Sequence, residues 1–327
     1  VLATFGTGAD AYAATWFDPA RAGGDEGRRA DRLPADGELA EAIRARCTGQ
    51  TGVVESCGGQ DKSQPPPLLY DLTELQRHAN RLFGLTAQET LAAAQGLYEK
   101  HKLVTYPRTD SRHLSADVAG RLGPVVAAVA PAYPGLVAAG SGETLLSSRF
   151  VDDAKVTDHH AIIPTPLSRE GRSLTPAEDK VYDLVCRRLL MAWHADHRTR
   201  VTTCITRVDS EGVEDRFRAS GTVVTQAGWK VLDFGGRDPE KSKKRKKKGD
   251  ADAKAAEGGE AAAEEATAER KLPDGLSQGQ ERPVTAIEAQ QKETTPPKRL
   301  TDAGLLTAME TAGRQLDDRD LEDAMKE

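Results

Sequence analysis

The residues between Lys100 and Arg112 concentrate groups that handle phosphate: the phenol of Tyr106, the cations Lys100, Lys102, Arg108 and Arg112, the imidazole of His101, and the small polar side chains Thr109, Asp110 and Ser111. A tyrosine oxygen attacks a phosphodiester only if its proton is removed and the charge building on phosphorus is neutralised. Its ordinary pKa near ~10 keeps it protonated at neutral pH, so a neighbouring cation is needed. In an extended segment Arg108, two residues beyond Tyr106, leaves the backbone on the same side and can grip phosphate oxygens in its bidentate fork. Thr109 and Ser111 can donate to phosphate, whereas Asp110 can relay a proton, orient Arg108, or cap a helix beginning near Ser115. The same residue types also fit a plainer arrangement, with Tyr106-Pro107 a partly buried aromatic before a turn and Arg108 and Asp110 a surface ion pair.

These residues sit where a helical pattern gives way to an extended stretch, so the elements on either side must position them. Leu72, Leu75, Ala79 and Leu82 share one face at helical spacing, and Gly84 ends that helix. Thr86 followed by Glu89 predicts a capping box at the start of a helix carrying Leu91, Ala94 and Tyr98. Thr175, Pro176 and Glu178 repeat the device before a helix running to about Trp193. Residues 67–197 therefore read as a mostly helical domain, set off by Pro65-Pro66-Pro67. Residues 1–66 read as strand-rich, with one helix from Gly37 to Arg46. Alternation predicts an antiparallel sheet over residues 199–234, ending with a strand through Trp229, Val231 and Asp233; strand signals resume from Pro283 to Glu288. Residues 235–271, with a basic block from Lys241 to Lys248 and an Ala/Glu/Gly tract, read as a disordered low-complexity insertion. After Pro296-Pro297 a helix is expected with Leu305, Leu306 and Met309 on one side.

Composition bounds the function classes. A net charge of −6 excludes a global basic field, so any affinity for nucleic acid must come from local positive charge. Hydrophobic residues make up 38 % but aromatics only 5 %, which assigns the core to Leu, Val, Ile and Ala. Cys47, Cys57, Cys186 and Cys204 show no C-x-x-C spacing and no ligating His nearby, so they read as isolated reduced thiols, not as a zinc site or disulfide framework. There is no run of ~18 apolar residues and no signal segment, which points to a cytoplasmic protein. No phosphate-binding Gly-x-x-x-x-Gly-Lys-Ser/Thr loop is present. Both ends look cut, because the chain opens without Met and closes inside a helical pattern.

The segment from Tyr106 through Arg108, Thr109, Asp110 and Ser111 to Arg112 resembles the active-site signature of type IA DNA topoisomerases. Three further segments resemble the same family in the same order. Pro66 to Arg77 is similar to the entry into the tyrosine-bearing domain, and Asp158-His159-His160 through Thr165 to the His-bearing motif of the topoisomerase III branch. Pro296 to Glu310 is similar to the re-entry into a helical DNA-binding domain. Four ordered matches in context make chance agreement implausible.

The resemblance implies an α+β, multi-domain fold: residues 1–66 form the first part of a β-rich gate domain, 67–197 the helical domain with the tyrosine, 198–295 the second part of the gate, and 296–327 the start of a helical DNA-binding domain. It implies a 5′-phosphotyrosine at Tyr106, a phosphate-positioning Arg108, assisting roles for Asp110 and His159, and DNA contacts from Thr109, Ser111, Arg112, His160, Gln76 and Arg299. For His160 a satisfied core position, and for Gln76 and Arg299 ordinary helix-surface roles, stay open as alternatives. Mg2+ is implied too, bound by an N-terminal Toprim domain; no Asp-x-Asp cluster precedes Pro65, and Asp152-Asp153 and Asp317-Asp318 read as helix caps, so no metal ligand is expected in this stretch. Expected partners are single-stranded regions of negatively supercoiled or catenated DNA, with a helicase or single-strand-binding protein, for a monomer associated with the nucleoid. Two other classes stay open: a non-catalytic single-strand-binding remnant of the fold, and a chromosome-architecture protein acting through the lysine block, whose plainer reading is a solvated linker.

Overall fold

The computed structural model describes residues 1–21, 30–234, 272–293, 296–297 and 299–311. The insertion at 235–271 with its lysine block, and Asp317-Asp318, lie outside the described residues. The fold is α+β, and the chain divides into two compact units.

The first unit comprises residues 1–63, 198–226 and 259–297. Its strands β1 (Leu2–Phe5), β2 (Tyr12–Phe17), β3 (Thr51–Gln64), β4 (His197–Ser210), β5 (Val213–Gln226) and β6 (Glu281–Glu288) close a barrel in the order β1-β2-β5-β4-β3-β6. Closure removes the unpaired edges an open sheet would present. Alternation fills the interior: Ala3, Phe5, Tyr12, Ala14, Phe217 and Ala219 are buried, and a Cβ at Gly52 would come within 2.9 Å of the Phe5 ring. β4 and β5 form a hairpin with Ser210 opposite Val213; its two turn residues, Glu211 (φ 55°) and Gly212 (φ 79°), are both left-handed, as a turn matching strand twist requires. Helix α1 (Glu38–Cys47) is tied to the barrel by Asp215, whose buried carboxylate accepts from Trp16 Nε1 at 2.8 Å and from Arg46 Nε at 2.5 Å.

The cysteine reading needs correction. Cys57 on β3 and Cys204 on β4 form a disulfide, with Cα atoms 4.1 Å apart. Their 147-residue separation hid a pairing that only the adjacency of the two strands creates. Cys47 and Cys186 are free and buried, and burial pushes each thiol up to about 12, which makes them poor nucleophiles.

The second unit holds residues 64–197, 227–258 and 298–327. It contains α2 (Leu72–Phe83), α3 (Ala87–Glu99), α4 (Ala116–Ala119), α5 (Leu122–Val129), α6 (Pro176–Met191) and α7 (Asp302–Glu310). Thr86 with Glu89 and Thr175 with Glu178 both form reciprocal capping boxes, and Gly84 (φ 68°) ends α2 in the left-handed conformation. Leu75 and Ala79 of α2, Ala94 and Leu97 of α3, and Val181 and Val185 of α6 meet in one buried cluster.

One expectation fails here. Trp229, Val231 and Asp233 do not form a strand: Gly228–Leu232 is a 3-10 turn that sends Trp229 and Leu232, three residues apart, into the helical core. Gly228 (φ 55°) permits this, since a Cβ there would lie 2.3 Å from the Asp196 carbonyl oxygen. On α7 the apolar side is not the buried one. Leu305 and Met309 are exposed, while Ala303 is covered and its N–H donates to Asn80 Oδ1 of α2 at 3.2 Å.

Tyr70, His78 and Arg188 form a largely buried polar cluster within the second unit. His78 Nδ1 of α2 accepts from the Tyr70 hydroxyl and from Arg188 Nη2 of α6 (3.1 Å), and the Arg188 guanidinium lies 4.0 Å from the Tyr70 ring centroid. Burial, then the Arg188 and Arg81 charges, hold His78 down from 6.5 to about 3. The unfolded chain therefore takes up a proton as pH falls through 6.5 while the folded state does not until about 3, so stability present above 6.5 is lost across that window. Between pH 7 and 5 this amounts to about 2 kcal/mol at ~1.4 kcal/mol per pH unit below the unfolded pKa. Urea melts at the two pH values should show that loss, and His78→Gln should flatten it to the part left by His113 and His194, which burial also depresses.

Candidate active site

Helix α3 ends in a left-handed turn that delivers Tyr106. The N–H groups of Lys100 and His101 both donate to Gly96 O (3.1 Å each), Lys102 takes φ 56°, and Leu103 N–H returns to Leu97 O at 2.8 Å. Gly96 has no room for a side chain, because a Cβ would sit 2.3 Å from Glu178 Oε1. Glu178 caps α6 through Thr175 and lies 3.6 Å from His101 Nε2. Burial would raise its pKa, but the hydrogen bonds from Thr175 and the field of His101 outweigh that and hold it below the usual carboxylate range. The start of α6 is thereby fastened to the end of α3.

From Leu103 onward the chain zips onto the segment that carries the histidines. Thr165 N–H donates to Leu103 O and Thr105 N–H to Ile163 O, both at 2.9 Å, and Ile163 N–H donates to Thr105 Oγ1 at 3.0 Å. Beyond Tyr106, Thr109 Oγ1 donates to His159 O at 3.0 Å and Ala161 N–H to His113 O at 2.9 Å. Pairing on both sides of Tyr106 brings His159 beside it, with ring centroids 4.3 Å apart at 41°. Tyr98 of α3 flanks Tyr106 at 5.5 Å in a T-shaped contact. Tyr106 is half-buried, and its hydroxyl forms no hydrogen bond among the described residues.

Arg108 is exposed and leans on the same helix. With the Gln95 amide oriented so that its oxygen faces the guanidinium, Oε1 accepts from Arg108 Nη2 at 2.7 Å and from Nε at 3.2 Å. Gln95 and Tyr98 stand three residues apart on α3, so they share a face, and Arg108 and Tyr106 meet that one face. Gln95 engages two of the five guanidinium N–H groups and leaves the Nη1 side for an anion.

The other expected residues divide. Thr109 and Ser111 are buried and turn inward: Ser111 Oγ donates to Lys155 O at 2.7 Å, and Thr109 O accepts from Leu72 N–H at 3.1 Å, so both shape the loop and neither faces solvent. Arg112 Nε donates to Leu69 O at 3.1 Å. Asp110 is exposed and accepts from Thr157 Oγ1 at 3.2 Å, while Ser115 caps α4. His160 is half-buried, with Nδ1 donating to Ala161 O at 2.8 Å. Gln76 is buried and its amide donates to Ala87 O at 2.9 Å; Arg299 is exposed. The sequence does not single out Gln95, and it marks Tyr98 only as a residue on a helix face. The helical period did place the two on one side, but nothing local said that the side faces Tyr106. Among the described residues there is no group of three or more His, Cys, Asp or Glu side chains that could hold a metal ion.

A family model described as DNA topoisomerase matches residues 22–314. The DNA topoisomerase 3 of Shouchella clausii (strain KSM-K16) is 35 % identical over 288 residues, covering 87 % of this chain and 35 % of the relative. That of Bacillus subtilis (strain 168) is 36 % identical over 265 residues, covering 80 % and 33 %. The solved structure of full-length topoisomerase I from Thermotoga maritima superposes with a TM-score of 0.58 at 17 % identity, over 95 % of this chain and 43 % of that one, a likeness of fold. The chain thus spans about a third of the length of the curated relatives it matches.

Proposed function

The chain belongs to the type IA DNA topoisomerase family, on its topoisomerase III branch, and we propose that Tyr106 is the nucleophile that opens one DNA strand. The observation that carries this reading is the Tyr106 phenol held between Tyr98 and His159, with the Arg108 fork braced on the same face of α3. In the step proposed, the Tyr106 oxygen bonds to phosphorus as the bond from phosphorus to the 3′-oxygen breaks, leaving a 5′-phosphotyrosine. The phenolic proton passes to the His159 imidazole, the one in contact with the ring, either directly or through a water, and the departing 3′-oxygen takes a proton from water to become a hydroxyl. The Nη1 side of Arg108 meets the charge that develops on the non-bridging oxygens. Asp110, held by Thr157, stays in an assisting role, and Arg112, His160 and Arg299 remain candidate DNA contacts.

Resealing reverses the exchange: the 3′-hydroxyl attacks the phosphotyrosine and releases Tyr106. The ester conserves the energy of the broken phosphodiester, so no nucleotide is hydrolysed. The proposed substrate is single-stranded DNA within negatively supercoiled or catenated molecules, with passage of a second strand through the gap. The proposed setting is a monomer in the cytoplasm, associated with the nucleoid and working beside a helicase or single-strand-binding protein. No helix among the described residues is long and apolar enough to cross a membrane. Mg2+ would be bound by the Toprim domain that the family resemblance implies, and no step here runs through it.

Alone, this stretch of chain is expected to bind single strands weakly and to leave supercoiled plasmid unchanged. Complemented with the remaining portions of the Bacillus subtilis relative, it should relax the plasmid without ATP. Lack of relaxation with every piece folded, as judged by circular dichroism, would count against the assignment.

A further inference from the structure

We propose that Lys102 is a phosphate contact for the DNA strand led to Tyr106, a positioning residue whose ammonium is presented by a strained turn. The inference rests on the proposed role of Tyr106 and deepens it. Among the described residues only Lys102 and Glu211 have positive φ without being glycine. Glu211 is explained by its hairpin. Lys102 sits just past the end of α3 with φ 56°, where glycine or asparagine would fit with less strain. Such outliers persist where the surrounding structure holds them, and they gather at functional sites.

The surroundings do hold this one. Thr165 Oγ1 donates to Lys102 O at 2.6 Å, and Arg172 Nη1 donates to the preceding carbonyl, His101 O, at 2.5 Å. A left-handed residue could satisfy both bonds whatever its side chain, so the backbone explains the conformation and not the lysine. The side chain is exposed and makes no ion pair among the described residues; its Nζ lies over the Tyr98 ring, 5.4 Å from the centroid. Tyr98 is the ring that packs against Tyr106. The ammonium thus stands one aromatic ring from the phenol, over a residue of the helix that the Arg108 fork also meets. A mobile, strongly hydrated point charge there suits a backbone phosphate next to the scissile one, with Arg108 supplying the directed contact.

Lys102→Gly and Lys102→Asn separate side chain from backbone, since both residues favour the left-handed region. Each should unfold in urea at a midpoint no lower than the parent. Binding of a fluorescent oligothymidylate to this chain, followed by anisotropy across a salt series, should weaken about fivefold near 0.1 M salt, with the slope of log K against log salt smaller by about 0.7, the loss of one single-strand phosphate contact. Lys102→Arg should keep the parental slope. If either folded neutral variant binds with unaltered affinity and slope, or if Lys102→Arg loses as much as they do, the proposal is overturned. A folded parent with no salt-dependent binding at all would remove the Tyr106 reading, and this inference with it. A parent that binds beside variants that bind equally well would sink the inference alone.

Discussion

Tyr106→Phe lowers formation of the covalent protein–DNA adduct by at least about 10³-fold in the complemented enzyme, a loss of more than about 4 kcal/mol of transition-state stabilisation. The substitution removes one oxygen and nothing that holds the fold. The phenyl ring keeps its contacts with Tyr98 and His159, at 5.5 and 4.3 Å, and the deleted hydroxyl has no hydrogen-bond partner among the described residues. Stability and single-strand affinity should therefore stay near parental values while the adduct disappears. Trapping on a suicide oligonucleotide, whose cleaved end diffuses away, reads the adduct directly. A variant that still forms it at the parental rate rules out Tyr106 and revives the non-catalytic remnant as the reading of this chain.

Arg108→Ala comes second, with adduct formation slowed by about 10²- to 10³-fold, the usual effect of deleting one preorganised donor to a developing oxyanion. Arg108→Lys should recover only part of this, because an ammonium lacks the planar fork that contacts Gln95 and an anion together. Gln95→Ala tests the bracing. Removing the amide that accepts from Nη2 and Nε frees the guanidinium to wander, so adduct formation should slow by about tenfold or less while the charge remains. Single-turnover rates at saturating DNA separate these effects from weaker binding. Equal rates for parent and Arg108→Ala would remove the arginine from the chemistry.

How much of this was legible follows from where each interaction lies along the chain. The capping boxes of Thr86 with Glu89 and Thr175 with Glu178 span three residues each, and both starts of α3 and α6 were visible in the sequence. Tyr106 and Arg108 were singled out for the same reason, since their relation is local. What connects distant segments stayed hidden. The disulfide between Cys57 and Cys204 depends on β3 lying beside β4, and the bracing of Arg108 depends on which side of α3 turns toward the loop. Thr109 and Ser111 were read as phosphate donors from their type; backbone carbonyls at His159 and Lys155 claim their hydroxyls instead. Trp229, Val231 and Asp233 mimicked a strand because a short alternating run cannot be told from a 3-10 turn, and Leu305 and Met309 are exposed on a helix whose polar contacts face α2.

The most direct test of the account is the identity of the residue that carries DNA. Trapped adduct from the complemented enzyme, digested with trypsin and nuclease, should yield the peptide from Leu103 to Arg108 bearing the mass of a 5′-nucleotide, with fragmentation placing it on Tyr106. An unmodified Leu103–Arg108 peptide recovered from purified adduct, with the nucleotide on another residue, would contradict it.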